Sequence, residues 1–277
     1  MRRKHMLEND PRGLTVAVEA LVAQQMTKKN DVHHPMRLAL VLQFWDGDAM
    51  EAFRLARLLA DLEPEPRNDV MFVLARRRDY GESDAALDEA EAVLQKKFPV
   101  LSMVSPRAGV GHPDGCYAIW SGVMEELTSL YYDGILPFDN VFTFEPDGAP
   151  CRRDWIDSLK RTHAQNLAAG ARVTGAPMTQ GFNTCASPPH VNGCLCMHVS
   201  CWADHPSMHY CPPGAAWDVV HGLVLLQELG SFRPIANLYG AQAVSTAVFE
   251  TLAREHCWLS NVKDDSAFFL AERMIEK

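Results

Sequence analysis

The chain has 277 residues, enough for one large α/β domain or a domain with a substantial appendage, and it can bury a real core. Its 47% hydrophobic and 22% charged residues are ordinary for a globular protein, and a net charge of −9 argues against general charge-driven binding to DNA or an anionic membrane. No apolar stretch approaches the length of a membrane span, and the start MRRKHMLENDPRG lacks a signal-peptide core, which reads as cytoplasmic.

Residues 1–35 stand apart. A basic cluster (Arg2, Arg3, Lys4) leads into 14–26, whose apolar residues suit an amphipathic helix, an arm that docks on the body or on a partner. After Pro35, residues 37–45 read as a strand, then Asp46, Gly47 and Asp48 as a loop, then 49–62 as a helix. Residues 70–75 form a second strand, ending in Arg76, Arg77, Arg78 and Asp79. Ser83 caps a periodic helix to 97, acidic early and basic late as the helix dipole prefers. A third strand at 100–104 enters the glycine-rich run SPRAGVGHPDGCYAIW, which continues as a helix to about 132. A strand at 141–144, a helix at 154–169, a strand at 171–175, and helices at 218–229 and 241–256 follow. This alternation predicts a doubly wound, mostly parallel α/β sheet flanked by helices to about residue 200, with a helical C-terminal region.

In the run NVFTFEPDGAPCRRDW an apolar strand ends in two carboxylates. Val141, Phe142 and Phe144 read as buried, and Glu145 and Asp147 fall at the strand's carboxyl end, where ligands bind in open α/β sheets. Pro146 and Gly148 hold them in a loop, so that both could share one hard cation such as Mg²⁺ or Mn²⁺. The plain alternative is an acidic turn before an N-capped helix.

Of the eight cysteines, Cys185, Cys194, Cys196, Cys201 and Cys211 share one segment with His190, His198, His205 and His209. Cys185, Cys194, Cys196, Cys201, Cys211 and His198 are candidate ligands of a structural zinc, although no C-x-x-C pair occurs there. Buried thiols and loop histidines are the other reading.

The GxGxxG fingerprint is missing after the first strand, and no GxxxxGK[ST] loop or G-x-S-x-G elbow occurs, which disfavours dehydrogenases, P-loop enzymes and α/β-hydrolases. A metal-assisted enzyme acting on a nucleotide-linked substrate remains. On these residues the chain resembles the GT-A class of glycosyltransferases, whose D-x-D motif follows a central strand; Glu145-Pro146-Asp147 takes that place. The runs RAGVGHPDGCYAIW, EPDGAPCRRDW and PHVNG also resemble a group of phage and bacterial glycosyltransferase-like proteins, with suspected DNA-base-modifying relatives. The resemblance covers roughly residues 37–200. Tyr117 stands where Asn is expected, and Ser260 where many such enzymes place a metal-binding His; His256 is the nearby substitute.

The resemblance implies a single GT-A-like domain over 36–277, with a nucleotide-sugar half at 36–180 and an acceptor segment and helical tail at 181–277. Asp147 would be the main ligand of Mn²⁺ or Mg²⁺, Glu145 would bind the metal or the donor ribose, and His256 would stand in as the third ligand. Gln43, Phe44, Asp46, Arg76 and Asp79 would surround the nucleotide, Gly115 would lie in the phosphate loop, and Arg107 and Lys263 would neutralise phosphate charge. His190 and Asn192 would line the sugar side, and Asp218 would be the general base of an inverting reaction, with a helix cap as its simpler role. The implied activity is transfer of a sugar from a nucleotide diphosphate donor, typically uridine-linked, to an acceptor hydroxyl. That acceptor is a hydroxymethylated pyrimidine in DNA, a glycan or a small molecule, in the host cytoplasm if a phage encodes the chain. Two rivals stay open: a nucleotidyltransferase making a nucleotide sugar, and a zinc-stabilised nucleic-acid-binding module.

Overall fold

The computed structural model describes residues 36–77, 84–178, 188–238, 243–262 and 264–275, without the side chains of 46 and 84–86. The N-terminal arm, Asp79, Cys185 and Lys263 lie outside the described residues, as does the side chain of Asp46.

Strand β1 (Leu38–Phe44) leads through a short 3-10 turn into helix α1 (Ala49–Leu62), β2 (Val70–Arg76), α2 (Asp84–Leu94) and β3 (Val100–Val104). Then come α3 (Asp114–Tyr132), β4 (Asn140–Phe144), the two-residue β5 (Ala149–Pro150), α4 (Trp155–Ala168), β6 (Val173–Met178) and β7 (His190–His198). The remainder is α5 (Val199–Asp204), α6 (Trp217–Val220), α7 (Gly222–Gln227), β8 (Ile235–Asn237), α8 (Thr246–Glu255), β9 (Trp258–Ser260) and α9 (Ser266–Glu272). Among the described residues no helix is long and apolar enough to cross a membrane.

The main sheet has the order β3-β2-β1-β4-β7-β6. β1 pairs in parallel with both β2 and β4, while β7 runs antiparallel between β4 and β6, so the sheet is mixed but mostly parallel. Its central strands are buried on both faces, which explains their unbroken apolar runs. Leu38, Leu40, Leu42 and Phe44 pack with α1, α2, α4 and the small sheet; Ala39 and Val41 join α3, Trp202 and Trp217 on the other side. The result is helices on both faces of one sheet.

Two readings of the sequence need correction. The candidate zinc-binding Cys/His segment includes β7, a central strand, followed by α5 and a 3-10 turn at Pro206–His209. Cys194 and Cys196 are packed into one core layer, Cys201 and Cys211 into the other, and His198 bonds Ser200, so the candidates among the described residues do not converge on one metal. The expected helix over 218–229 is broken at His221 into α6 and α7, and a second sheet of order β5-β9-β8, unforeseen, occupies part of the expected helical tail.

Candidate functional site

The carboxyl ends of β1, β2 and β4 share one sheet edge, and the acid turn sits on it. Pairing of Phe142 with Cys196 and Thr143 with Leu195 carries the start of β7 past the end of β4, so His190–Asn192 rise beside Glu145 and Asp147. Glu145 is exposed and Asp147 half-buried. The turn is fixed on several sides. Gly148 N–H donates to the Glu145 carbonyl at 3.1 Å, and Val262 N–H to the Asp147 carbonyl at 2.7 Å. The indole of Trp258 lies where a Cβ on Gly148 would stand, 2.7–2.8 Å away. Beneath lies Cys194, whose thiol burial and the charges of Asp147 and Glu145 push well up, so it stays a neutral packing group.

The first strand's loop contributes Asp48. Its Oδ1 accepts from Trp45 N–H at 2.7 Å, and burial pushes its pKa up to about 6, with the charge of Asp147 adding in the same direction. Gln43 and Phe44 close β1 and are buried; Phe44 packs edge-on against Phe53 with ring centroids 5.8 Å apart and is a core side chain rather than a ligand contact. Arg76 ends β2 half-exposed, and its carbonyl accepts from Ser105 N–H. The buried guanidinium of Arg77 lies 4.8 Å from the Trp45 ring centroid.

Gly115 serves this arginine. A Cβ there would stand 2.7 Å from Arg77 Nη1, so the glycine in the first turn of α3 makes room for a side chain. Cys116, next along, faces Glu145, Asp48, Arg77 and Asp218, and burial pushes its thiol up to about 12. Sequence reasoning assigned no role to Cys116 or to His112, although both lie in the run RAGVGHPDGCYAIW.

Arg107 is engaged by α3 and by the segment after α5. Its Nη2 lies 2.9 Å from Glu125, and Nη1 donates to Tyr117 Oη and the His209 carbonyl. Tyr117 in turn donates to the Met208 carbonyl, so the residue standing in place of Asn braces the 3-10 turn at Pro206–His209.

His190 and Asp218 are brought together from β7 and α6, with Nε2 and Oδ2 4.0 Å apart. His190 Nδ1 donates to the Pro188 carbonyl at 2.8 Å. Burial raises the pKa of Asp218, opposed chiefly by the charge of His190. Asn192 is half-buried, and its Oδ1 accepts from Cys194 N–H at 2.9 Å, a local turn bond.

His256 is not brought to the acid turn. β5 and β9 run antiparallel with Ala149 opposite Leu259, so the register puts Asn261, not His256, level with Asp147. His256 Nδ1 instead donates to the Arg233 carbonyl at the far end of β9. Ser260 is buried, its hydroxyl 3.4 Å from the Ala236 carbonyl. Asn261 has φ +57°, the one non-glycine residue with positive φ among those described.

The donor set at the edge, Glu145 and Asp147 with Asp48 nearby, consists of hard oxygens and suits Mg²⁺ or Mn²⁺ rather than zinc. Cys201, His205 and Glu228 form a separate group whose ligand atoms all lie within 4.8 Å of one another.

No protein-family profile matches the chain, and no curated protein is similar in sequence. Solved structures are. GlyE from Streptococcus pneumoniae TIGR4, a glycosyltransferase, aligns over 87% of this chain and 62% of its own, at 10% identity and a TM-score of 0.52. The galactosyltransferase LgtC, in complex with donor and acceptor sugar analogs, aligns over 84% and 94%, at 10% identity and a TM-score of 0.51. The bifunctional WbbM aligns over 90% and 52%, at 9% identity and a TM-score of 0.50. The chain spans 64% of the S. aureus TarS 1–349 structure and 39% of the longer TarS chain. With its acid turn at the carboxyl edge of a mixed sheet, this chain has the GT-A fold of glycosyltransferases.

Proposed function

We propose that the chain is a glycosyltransferase that uses a nucleotide diphosphate sugar and a divalent cation. The observation that carries this reading is the Glu145–Asp147 turn at the carboxyl end of β4, clamped by Trp258 and Val262. Two carboxylates one residue apart, on a turn fixed at the carboxyl edge of the sheet, suit a divalent cation beside a diphosphate. Glu145 and Asp147 would hold the Mn²⁺ or Mg²⁺, which would neutralise charge on the departing diphosphate. Trp45, Gln43 and the arginines ending β2 flank the place of the nucleoside, on the side of the edge away from β7.

In the transfer, the oxygen of the acceptor hydroxyl bonds to the anomeric carbon as the bond from that carbon to the phosphate oxygen breaks. The nucleoside diphosphate leaves with the bonding electrons, and the hydroxyl proton passes to a base. Asp218 is the assigned base: it stands on the β7 side of the edge, and its burial favours proton uptake. The acceptor class follows the neighbours as a sugar hydroxyl. LgtC has been captured with donor and acceptor sugar analogs. Hydroxymethylated DNA is the second arm of the acceptor screen.

The test is melting temperature against UDP- and GDP-sugars and free diphosphates, with Mn²⁺ or chelator, for the native chain and Asp147→Asn. A ligand that binds only the folded state stabilises it by about 2.7 kcal/mol at a hundredfold excess over Kd. A cation-dependent rise with one nucleotide family, lost in the variant, is expected. A rise with nucleoside triphosphate and sugar phosphate alone would instead point to nucleotidyl transfer, and no rise with any donor would overturn the reading.

A further inference from the structure

The gap between His190 and Asp218 has a size that calls for an occupant. At 4.0 Å, Nε2 and Oδ2 are too far apart for a direct hydrogen bond. An oxygen placed about 2.8 Å from each would subtend an angle of roughly 90° between them, within the reach of one hydroxyl. Both walls of the gap are held in place. Nδ1 of His190 is committed to the Pro188 carbonyl, which leaves Nε2 as the nitrogen that faces the gap. Gly222, the first residue of α7, lies so close that a Cβ on it would stand 2.8 Å from the Cβ of His190, which fixes the base of the imidazole. On the other wall Oδ1 of Asp218 accepts from Val219 N–H at 3.0 Å, which turns Oδ2 toward the histidine. A buried histidine and a half-buried aspartate from different elements, each anchored by its other polar atom, thus aim their remaining atoms at one point.

We infer that His190 and Asp218 act as one unit that seats the attacking hydroxyl oxygen between them, making His190 a substrate-positioning residue of the transfer. This rests on the glycosyltransferase reading. With His190 protonated, its Nε2–H donates to the hydroxyl oxygen, and the hydroxyl donates its own proton to Asp218. As the oxygen bonds to the anomeric carbon, that proton moves to Asp218, and the imidazolium keeps the carboxylate ionised until then. The other titratable groups near Asp218 are His112 from the loop before α3, Cys116 on α3, and Cys211 in the segment before α6. Cys116 and Cys211 are both held neutral by burial, which leaves His190 and His112 as the groups whose positive charge, when present, opposes the rise at Asp218.

The experiment follows the C2 proton of His190 by NMR across pH 4 to 9, assigned by its disappearance in His190→Gln, in the native chain and in Asp218→Asn. Unit charges 4 Å apart interact appreciably even in water, so the His190 midpoint should fall by roughly half a pH unit or more when Asp218 loses its charge. An unmoved midpoint would overturn the pair. In parallel, hydrolysis of the stabilising nucleotide sugar is measured, with water as the acceptor in the gap. Asp218→Asn should lower kcat by roughly 100-fold or more, and His190→Gln by about 10-fold with donor KM unchanged and the acidic limb of the pH profile moved upward. A His190→Gln enzyme with native kcat and pH profile would overturn the positioning role. If the titration is coupled but the native chain neither binds nor hydrolyses any donor, the pair stands as a structural unit. The glycosyltransferase reading, and the use of the pair in it, then fails.

Discussion

The N–H of Val262 donates to the carbonyl of Asp147 at 2.7 Å, so the chain leaving β9 is fastened to the turn that carries both acids. Asn261 makes this possible by adopting φ +57° just before it, with its Nδ2 donating to Asn237 at 3.0 Å. Asparagine tolerates the left-handed region better than residues with larger or branched side chains. Asn261→Ala should therefore lower stability by about 1 kcal/mol or more, and Asn261→Gly by less, since glycine enters this region without a Cβ penalty. Denaturant melts of the two variants check this order. If alanine proves the milder change, the conformation is not what the asparagine supplies.

Gly148 lies against the indole of Trp258, with 2.7–2.8 Å left for any Cβ. Trp258 is fully buried and meets Phe144 and Trp155 at ring-centroid distances of 5.0 Å, so it has little room to retreat. Gly148→Ala should cost about 1–3 kcal/mol. Its effect on the site should be larger than its effect on the fold, because the displaced element is the acid turn itself. Donor affinity measured by calorimetry in a variant that still melts cooperatively would show a fall; an unchanged affinity would mean that the turn does not hold the ligand.

Gly115→Ala probes the other side of the edge, where the new methyl would press on Arg77 Nη1 at 2.7 Å. Here the neighbour is the end of a long side chain, which can move. Stability should change by less than about 1 kcal/mol, while the arginine leaves its place near Trp45. If Arg77 serves the nucleotide, donor Kd rises about tenfold, equivalent to 1.4 kcal/mol. Equal donor affinity in variant and native chain would confine Arg77 to a packing role.

The central strands β1, β2 and β4 and the acid turn were legible because burial on both faces writes a strand as a mainly apolar run that stops where the edge begins. The strand β7 was not. Its sequence HVNGCLCMH puts histidine and cysteine where a core strand usually has valine or isoleucine, and a buried thiol that packs as a small hydrophobe has the same letter as a metal ligand. The small sheet escaped notice because strands of two and three residues carry no periodicity. That omission misplaced His256: which residue of a strand stands level with Asp147 depends on register, and register is set by a partner far away in the chain. The approach of His190 to Asp218 is likewise a product of β7 crossing the sheet edge, although each residue was singled out by its own surroundings.

Cys201, His205 and Glu228 could hold zinc by proximity alone, but Arg172 stands among them. Its guanidinium reaches Glu228 Oε1 at 2.7 Å and His205 Nε2 at 3.2 Å, and its hydrogen bond holds the Glu228 carboxyl down at about 2. The arginine already supplies the positive charge that a zinc ion would bring, and burial pushes the Cys201 thiol up to about 12, away from the thiolate a metal requires. Metal analysis of the purified chain should find well under one zinc per molecule, and chelator should leave the melting temperature unchanged. One zinc per chain, lost in Cys201→Ser, would show that the three ligands prevail over the arginine.

His163 is buried in a network in which every polar atom has a use. Its Nε2–H donates to Asn140 Oδ1 at 2.9 Å, and its Nδ1 accepts from Thr174 Oγ1 at 2.8 Å; the same hydroxyl accepts from Asn166 Nδ2. This pattern needs the neutral imidazole, because a proton on Nδ1 would face a hydroxyl already oriented toward it. Burial first, and the charge of His198 second, push its pKa down to about 3 from an ordinary 6.5. Between those values the unfolded chain binds a proton that the folded chain refuses, so stability is fully present above about pH 6.5 and is lost as pH falls toward 3, below which the loss levels off. At about 1.4 kcal/mol per pH unit, the loss between pH 6.5 and 5 is on the order of 2 kcal/mol. His221, pushed down to about 4 by burial, acts in the same direction, so the contribution of His163 must be read as a difference. In urea melts across pH 5 to 7.5, His163→Gln should be less stable than the native chain at pH 7.5, and the gap should narrow steadily as pH falls. A gap that stays constant would mean that this histidine accepts its proton in the folded state.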